Sequence, residues 1–191
     1  MTPDRAGTGH GRRLLVLRHA KAESGLGLAD VERPLAKRGK KDASAAGRWL
    51  RAAGMPIGLV VCSPALRARQ TWAAAAAELA ESGAGGDVPV RYDDRLYRNT
   101  VESLGEVVRE TDDEVDSLLL VGHNPSVQQL VATLIADADP VEGFPTCALA
   151  LVEFTEPWAA LAEDAGRLAQ FWTPSHGQRG SVSSPAVPRD R

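Results

Sequence analysis

The chain has 191 residues, 43% of them hydrophobic, and a formal net charge of -3, so it is long enough to bury the core of one domain and short for two. The small acidic excess argues against general affinity for nucleic acid, and no stretch approaches the roughly 20 apolar residues that span a bilayer. An apolar signal segment is lacking near the start, so we expect a cytoplasmic protein without membrane association, and Cys62 and Cys147 are too far apart to indicate a disulfide framework or a zinc site.

Short apolar runs alternate with longer amphipathic ones, which is typical of an α/β domain with a largely parallel sheet. Strands are predicted over 14–19, 57–63, 117–123, 148–154 and 167–174, and a short strand followed by a loop over 88–97. Helices are predicted over 35–54, 65–82, 100–111 and 124–138. The basic run KRGKK at 37–41 is interpreted as a solvated helix start.

Both ends of the chain are predicted to lie outside the folded domain, which we expect to span 12–173. Residues 1–11 are predicted to be flexible. Residues 174–191 are rich in Ser, Pro, Gly and Arg with almost nothing apolar, and this composition favours a disordered tail.

Ionisable side chains stand at the ends of three predicted strands. Arg18 and His19 end the first strand and His123 ends the strand over 117–123, whereas the other two histidines lie in the flexible ends. The strand over 57–63 leads into a helix that carries Arg67 and Arg69. Because ligands bind outside the carboxyl ends of the strands in open α/β sheets, we expect these groups to meet in one pocket.

A cluster of two histidines and two arginines suits a phosphoryl group. Guanidinium groups match phosphate oxygens and stay charged, so Arg18 and Arg67 are expected to bind and polarise it. A neutral imidazole can attack phosphorus, and nearby arginines would lower the pKa of His19 and favour that form. His123, just before a helix, could donate a hydrogen bond to the phosphoryl oxygens. Each piece alone could be an ordinary surface or capping feature; their coincidence at three strand ends favours a site.

Three segments resemble motifs of the histidine phosphatase superfamily, which has the phosphoglycerate mutase-like fold. LVLRHAKAE resembles the R-H-G motif with Ala20 in place of the usual glycine, SPALRARQT resembles the second arginine motif, and LLLVGHNPSVQQLV resembles the segment of the second histidine. The pairing of RHAKAE with GHNP is most similar to the small SixA-type phosphohistidine phosphatases. The resemblance covers about 13–154.

This resemblance implies a three-layer α/β sandwich with a mostly parallel central sheet flanked by helices. It implies a phosphate pocket formed by Arg18, His19, Arg67 and His123, with His19 as the nucleophile and Arg67, not Arg69, at the motif position. By the same resemblance Asp30 and Arg33 border the pocket, either as substrate contacts or as a loop salt bridge. Asn124 belongs to the third motif, as substrate contact or structural residue, and Ser63 belongs to the second.

The segment in which larger members of the superfamily carry an acid that protonates the leaving oxygen reads DDRLYRNTVESLGE, and no carboxylate there is convincingly in place. SixA-type proteins similarly lack an obvious acid. The resemblance thus implies a phosphatase without metal or cofactor, acting on protein phosphohistidine. A phosphatase of small phosphate esters, with Asp30, Glu23 or Glu102 as acid, and a non-catalytic module that binds phosphorylated partners remain open alternatives.

Overall fold

The computed structural model describes residues 11–81, 88–135 and 143–174. The flexible N-terminus predicted over 1–11 and the disordered tail predicted over 174–191 lie, apart from Gly11 and Pro174, outside the described residues. Among the described residues, no helix is long and apolar enough to cross a membrane. Cys62 and Cys147 are buried with free thiols.

Six strands form one mixed sheet. They are β1 (Arg12–Arg18), β2 (Leu59–Cys62), β3 (Val90–Tyr92), β4 (Ser117–Gly122), β5 (Leu149–Phe154) and β6 (Arg167–Trp172). Their order across the sheet is β3-β2-β4-β1-β5-β6. β3, β2, β4 and β1 run parallel, whereas β5 is antiparallel to β1 and β6 is antiparallel to β5. The mostly parallel sheet expected from the sequence is confirmed.

Helices cover both faces of the sheet. They are α1 (Lys37–Ala52), α2 (Leu66–Ala80), α3 (Arg95–Arg98), α4 (Val101–Arg109) and α5 (Ser126–Leu134), with 3₁₀ turns at Asp30–Glu32 and Trp158–Ala160. Alternate side chains of β1 point to opposite faces. Leu15 and Leu17 belong to the core formed with α1 and α2, and Leu14 and Val16 to the core formed with α4 and α5. The three-layer sandwich is therefore confirmed.

The register of the central strands explains how two distant histidines become neighbours. β1 and β4 pair in parallel with Arg18 opposite Gly122, so the next residue of each strand, His19 and His123, leaves the sheet at the same edge. The backbone N–H of His19 continues the ladder by donating to the carbonyl of Gly122 at 3.0 Å. The carboxyl edge of the sheet thus brings the two imidazoles together.

Most predicted element boundaries differ from the structure by one or two residues, and three differences have a clear physical cause. The loop expected after β3 contains the helix α3, because the Asp93 carboxylate accepts the N–H of Arg95 at 3.0 Å and Leu96 is fully buried beneath the turn. α5 ends at Leu134, since Ile135 is extended and bridges to Gly166; residues 136–138 of the predicted helix lie outside the described residues. The first helix begins at Lys37 because the preceding chain is extended, with Leu35 in a bridge to Ala22.

α1 and α2 pack closely on one face of the sheet. Gly47 of α1 lies against the backbone of Ala75 in α2, and a Cβ at that position would collide with the Ala75 carbonyl oxygen. The glycine therefore sets the separation of the two helices, and α2 is the helix that carries Arg67.

Candidate active site

A cavity of about 520 Å³ opens at the carboxyl edge of β1, β2 and β4. It is lined by Arg18, His19, Lys21, Ala22, Asp30, Arg33, Arg67, Tyr97, Asn99, His123, Asn124 and Thr146. The structure therefore brings into one cavity all seven residues that were predicted to be catalytic or to contact substrate, which are Arg18, His19, Asp30, Arg33, Arg67, His123 and Asn124. They come from four separate parts of the chain: the end of β1, the 3₁₀ turn after it, the first turn of α2, and the end of β4.

His19 is held in one tautomer. Its Nδ1 lies 2.8 Å from the backbone carbonyl oxygen of Ala20, and because a carbonyl only accepts, Nδ1 carries the proton and Nε2 keeps a free electron pair. Burial lowers the pKa of His19 to about 4, and the charges of Arg67, Arg18 and Arg33 add to this while the Ala20 bond opposes it. The arginines lower the pKa of His19, as expected from the sequence, but burial lowers it more. At neutral pH the ring is therefore uncharged, with a free electron pair on Nε2.

His123 is held from both sides of its ring. Its Nδ1 lies 3.4 Å from Nη2 of Arg67, and because a guanidinium only donates, Nδ1 accepts and Nε2 carries the proton. Nε2 then donates to Oγ of Ser63 at 2.8 Å. Burial, followed by the charges of His19 and Arg67, lowers the pKa of His123 to about 3. The ring centroids of the two histidines are 4.9 Å apart.

This geometry differs from the expectation that His123 donates a hydrogen bond to the phosphoryl group, because neither ring nitrogen presents a proton to the cavity. Nε2 faces the hydroxyl of Ser63, the residue after β2, and Nδ1 faces a donor of Arg67. Ser63 therefore holds the His123 proton away from the cavity.

The two arginines differ in how their donors are used. Arg67 is only 7% exposed, and its Nη1 and Nη2 donate to the backbone carbonyl and the carboxylate of Asp30 at 2.6 and 2.9 Å. Nη1 of Arg18 donates to the carbonyl of Phe144 at 2.6 Å, whereas its buried Nε has no partner among the described residues. Arg18 is half-buried and lines the cavity, so its guanidinium can donate to an anion bound there.

Asp30 and Arg33 form the loop salt bridge that was one of the two interpretations of these residues. Oδ1 of Asp30 lies 2.9 Å from Arg33, while Oδ2 accepts from Arg67 at 2.9 Å and from the hydroxyl of Tyr97 at 3.0 Å. The hydrogen bond from Arg33 is the largest cause that lowers the pKa of Asp30 to about 2. Asp30 is therefore a carboxylate at neutral pH and cannot serve there as a general acid.

The other two carboxylic acids considered as proton donors lie elsewhere. Neither Glu23 nor Glu102 lines the cavity; Glu102 lines a separate cavity between α4 and α5. Only the backbone carbonyl of Glu23 approaches the site, where it accepts from Arg33. The expectation that one of these two side chains acts at the cavity is thus not supported by their positions.

Several lining residues were not identified from the sequence. Asn99 has a left-handed backbone, with φ of 63°, and its side chain donates to the carbonyl of Asn124 at 2.6 Å and accepts from the backbone and hydroxyl of Ser126. It thereby ties the start of α5, and with it His123, to α3. Asn99 is a residue type that favours turns, and this could have drawn attention to it. Nothing in the sequence points to Tyr97 or to the other lining residues, Lys21, Ala22 and Thr146.

The cavity is basic, with three arginines and Lys21 lining it and Asp30 as their counter-charge. Within the described ranges there is no group of three or more His, Cys, Asp or Glu residues that could hold a metal ion. The arrangement can bind a multiply charged anion through side chains, next to an uncharged imidazole nitrogen.

Residues 14–98 match the model of the histidine phosphatase superfamily (branch 1). An uncharacterized protein of Mycobacterium tuberculosis is 37% identical over 166 residues, which cover 83% of this chain and 99% of that protein. A solved SixA structure is 33% identical and is covered over its whole length (100%). This chain belongs to the histidine phosphatase superfamily. The resemblance inferred from the three motifs is thereby confirmed.

Solved structures refine this assignment within the histidine phosphatase superfamily. SixA from Nakamurella multipartitia is 33% identical and superimposes with a TM-score of 0.73, covering 91% of this chain and all of that one (100%). The protein histidine phosphatase SixA in complex with tungstate is 25% identical, with a TM-score of 0.68 and coverages of 84% and 96%. The chain is a SixA-type member of the superfamily, and thus a phosphatase that acts on phosphorylated substrates.

Proposed function

We propose that this phosphatase hydrolyses protein phosphohistidine through a covalent phosphoryl group on Nε2 of His19, without a metal ion. The observation that carries the proposal is the hydrogen bond from Nδ1 of His19 to the carbonyl of Ala20, 2.8 Å long. It leaves Nε2 as an uncharged nucleophile in a cavity lined by Arg18 and Arg67. Phosphate oxygens bound by the two guanidinium groups would present phosphorus to that nitrogen.

In the first step Nε2 of His19 attacks phosphorus, the new P–N bond forms, and the P–N bond of the substrate breaks. The electron pair of the broken bond stays on the leaving imidazole, which departs as a neutral ring when its other nitrogen is protonated. In the second step water attacks phosphorus, the electron pair returns to Nε2, and the water proton leaves with the phosphate or to solvent. The Ala20 carbonyl keeps the proton on Nδ1 throughout, so His19 is itself a neutral leaving group.

The preference for phosphohistidine rests on the leaving group. An alkoxide has a conjugate acid with a pKa on the order of 15, by comparison with water, and needs a positioned proton donor. Imidazole, whose pKa is about 6.5, does not. Asp30 is ionised and the side chains of Glu23 and Glu102 do not line the cavity, so the site suits a P–N bond better than an alkyl ester.

Two further features support the proposal. The similar SixA structure was obtained with tungstate, which is a tetrahedral oxyanion like phosphate. Three arginines in the cavity supply the positive charge that a metal ion would otherwise provide, so activity should persist in EDTA. A substrate of this kind would place the enzyme in cytoplasmic signal transduction.

The proposal is tested by comparing kcat/KM for phosphohistidine with kcat/KM for an alkyl phosphate. We expect a ratio of at least roughly 10², the lower end of what general-acid catalysis contributes. In a series of phenyl phosphates, rates should fall steeply as the pKa of the phenol rises. Two results would indicate an ester phosphatase with a general acid: an equal kcat/KM for the alkyl phosphate, or phenyl phosphate rates that do not depend on the phenol pKa while chemistry is rate-limiting. Binding of phosphorylated ligands without turnover would indicate a phospho-binding module.

A further inference from the structure

Beside the cavity, an ordered turn displays apolar side chains to solvent. Leu26, Leu28 and Val31 are 94%, 50% and 37% exposed, and they make up half of the six exposed large hydrophobic residues in the described part of the chain. We call residues 25–31 the apolar turn. Exposed apolar residues that are close together on a surface mark interaction sites.

The apolar turn is tied to the cavity. The N–H of Leu28 donates to the carbonyl of Gly25 at 3.0 Å, which closes the turn. Arg33 donates to the Glu23 carbonyl on one side of the turn, at 2.8 and 3.1 Å, and to the Asp30 carboxylate at 2.9 Å within it. Because Asp30 and Arg33 both line the cavity, these hydrogen bonds fix the apolar turn to the cavity wall.

The start of α1 is strongly basic. Lys37, Arg38, Lys40 and Lys41 are all exposed, and the first turn of the helix contains no acidic residue. Arg38 pairs with Asp42 at 3.5 Å. Cations at a helix N-terminus are unfavourable, because the helix dipole is positive there. In a chain whose net charge is -3, these four exposed cations form a local patch of positive charge. We call residues 37–41 the basic helix start.

The basic helix start is also attached to the cavity wall. The N–H of Ala36 donates to the carbonyl of Lys21 at 2.9 Å, and Gly39 packs so closely on the same backbone that a side chain there would collide with it. Lys21 itself lines the cavity. Neither the lysines of the helix start nor Leu26, Leu28 and Val31 line the cavity, so a small phosphorylated molecule inside it would not need them.

We propose that the apolar turn and the basic helix start together form a docking surface for a phosphorylated protein whose surface around the phosphohistidine is acidic and bears exposed apolar side chains. The inference rests on the proposed function and adds the kind of partner to it. Positive charge beside the cavity attracts the acidic partner and accelerates the encounter, and the leucines bury apolar area once the phosphoryl group has entered the cavity.

The test measures kcat/KM for three probes: free phosphohistidine, a short phosphohistidine peptide flanked by Asp, Glu and Leu, and the same peptide with Lys replacing the acidic residues. The wild-type enzyme should prefer the acidic to the basic peptide by at least about tenfold, the lower end of electrostatic steering. Combined Lys37→Glu, Lys40→Glu and Lys41→Glu substitutions should reverse that preference. Leu26→Ser with Leu28→Ser should slow both peptides by several-fold and leave free phosphohistidine unchanged.

Matched controls separate docking from general effects. Val90→Ser, at an exposed apolar residue that begins β3, and Arg109→Glu, at an exposed cation ending α4, should leave the peptide preference as it is. Equal rates for the two peptides, or docking variants that behave like the controls, would overturn the docking surface while the proposed function stands. Failure to hydrolyse free phosphohistidine, with turnover of p-nitrophenyl phosphate retained, would overturn the proposed function and this inference with it.

Discussion

At the scale of single residues, Arg67 and Arg69 form a matched pair two positions apart in α2. Arg67 is buried in the cavity wall, whereas Arg69 is exposed and lies over the ring of Tyr92 with 5.6 Å between its Cζ and the ring centroid. Arg67→Ala should lower kcat/KM by about 10²–10³-fold, the usual cost of losing one preorganised charged donor. Arg69→Ala should have almost no effect on kcat/KM. A larger loss at Arg69 would contradict the assignment.

Asp30 occupies two donors of the guanidinium that we propose binds the phosphoryl group. Asp30→Asn removes the competing charge, so orthovanadate should inhibit the variant more strongly. Because the Asp30 side chain is 52% exposed, solvent weakens the effect, and we expect an inhibition constant lower by about three- to tenfold. Glu23→Gln is the control, since that side chain does not line the cavity. Weaker inhibition of Asp30→Asn would show instead that the carboxylate holds Arg67 in its binding position.

Sequence reasoning found the cavity residues that follow directly from strand ends. Arg18, His19 and His123 could be placed because parallel strands deliver their carboxyl ends to one edge. The hydrogen bond between Ser63 and His123 could not be predicted, since it depends on the orientation of a ring relative to a neighbouring strand. The same holds for Tyr97, whose hydroxyl reaches Asp30 across 67 positions of sequence; no local pattern encodes such a contact.

At the scale of elements, the alternation of apolar runs predicted all six strands and the four longer helices. The short helix α3 escaped because four residues are too few for a helical period to be recognised. The end of α5 was placed too late because its apolar spacing continues past Leu134, while Ile135 pairs with Gly166 instead. The end of α5 is thus decided by a contact with a distant segment, and helix ends are poorly determined by sequence alone.

The contact between α1 and α2 gives a test at this scale. Helix propensity alone would make Gly47→Leu stabilising by about 1 kcal/mol. The structure predicts the opposite sign, because a side chain at Gly47 would collide with the backbone of Ala75, and overpacking typically costs about 1–3 kcal/mol. Urea unfolding measures the difference. A stabilised variant would show that the two helices are not in close contact at this point.

At the scale of the whole molecule, burying two uncharged histidines makes stability depend on pH. In the unfolded chain both titrate near 6.5, whereas the folded pKa values are about 4 for His19 and about 3 for His123. As the pH falls below about 6.5 the unfolded chain takes up protons that the folded protein does not, so the free energy of unfolding decreases. Each histidine contributes a slope of at most about 1.4 kcal/mol per pH unit.

Urea unfolding between about pH 7 and pH 4.5 should therefore show a steady loss of stability in the wild type. The combined His19→Asn and His123→Asn variant removes both titrating groups and should have a clearly flatter profile over the same range. Parallel profiles for the two proteins would mean that the histidines are not buried in their neutral form.

The proposed covalent intermediate on His19 is tested most directly by trapping the phosphoryl group on the enzyme. Radiolabelled phosphohistidine is mixed with the enzyme and quenched within the first turnover, and the labelled residue and ring nitrogen are identified. Because Nδ1 of His19 is hydrogen-bonded to the Ala20 carbonyl, we expect base-stable, acid-labile label on Nε2 of His19, and none in His19→Ala. Label on Nδ1, on His123 or on any other residue would contradict it, as would undiminished turnover by His19→Ala.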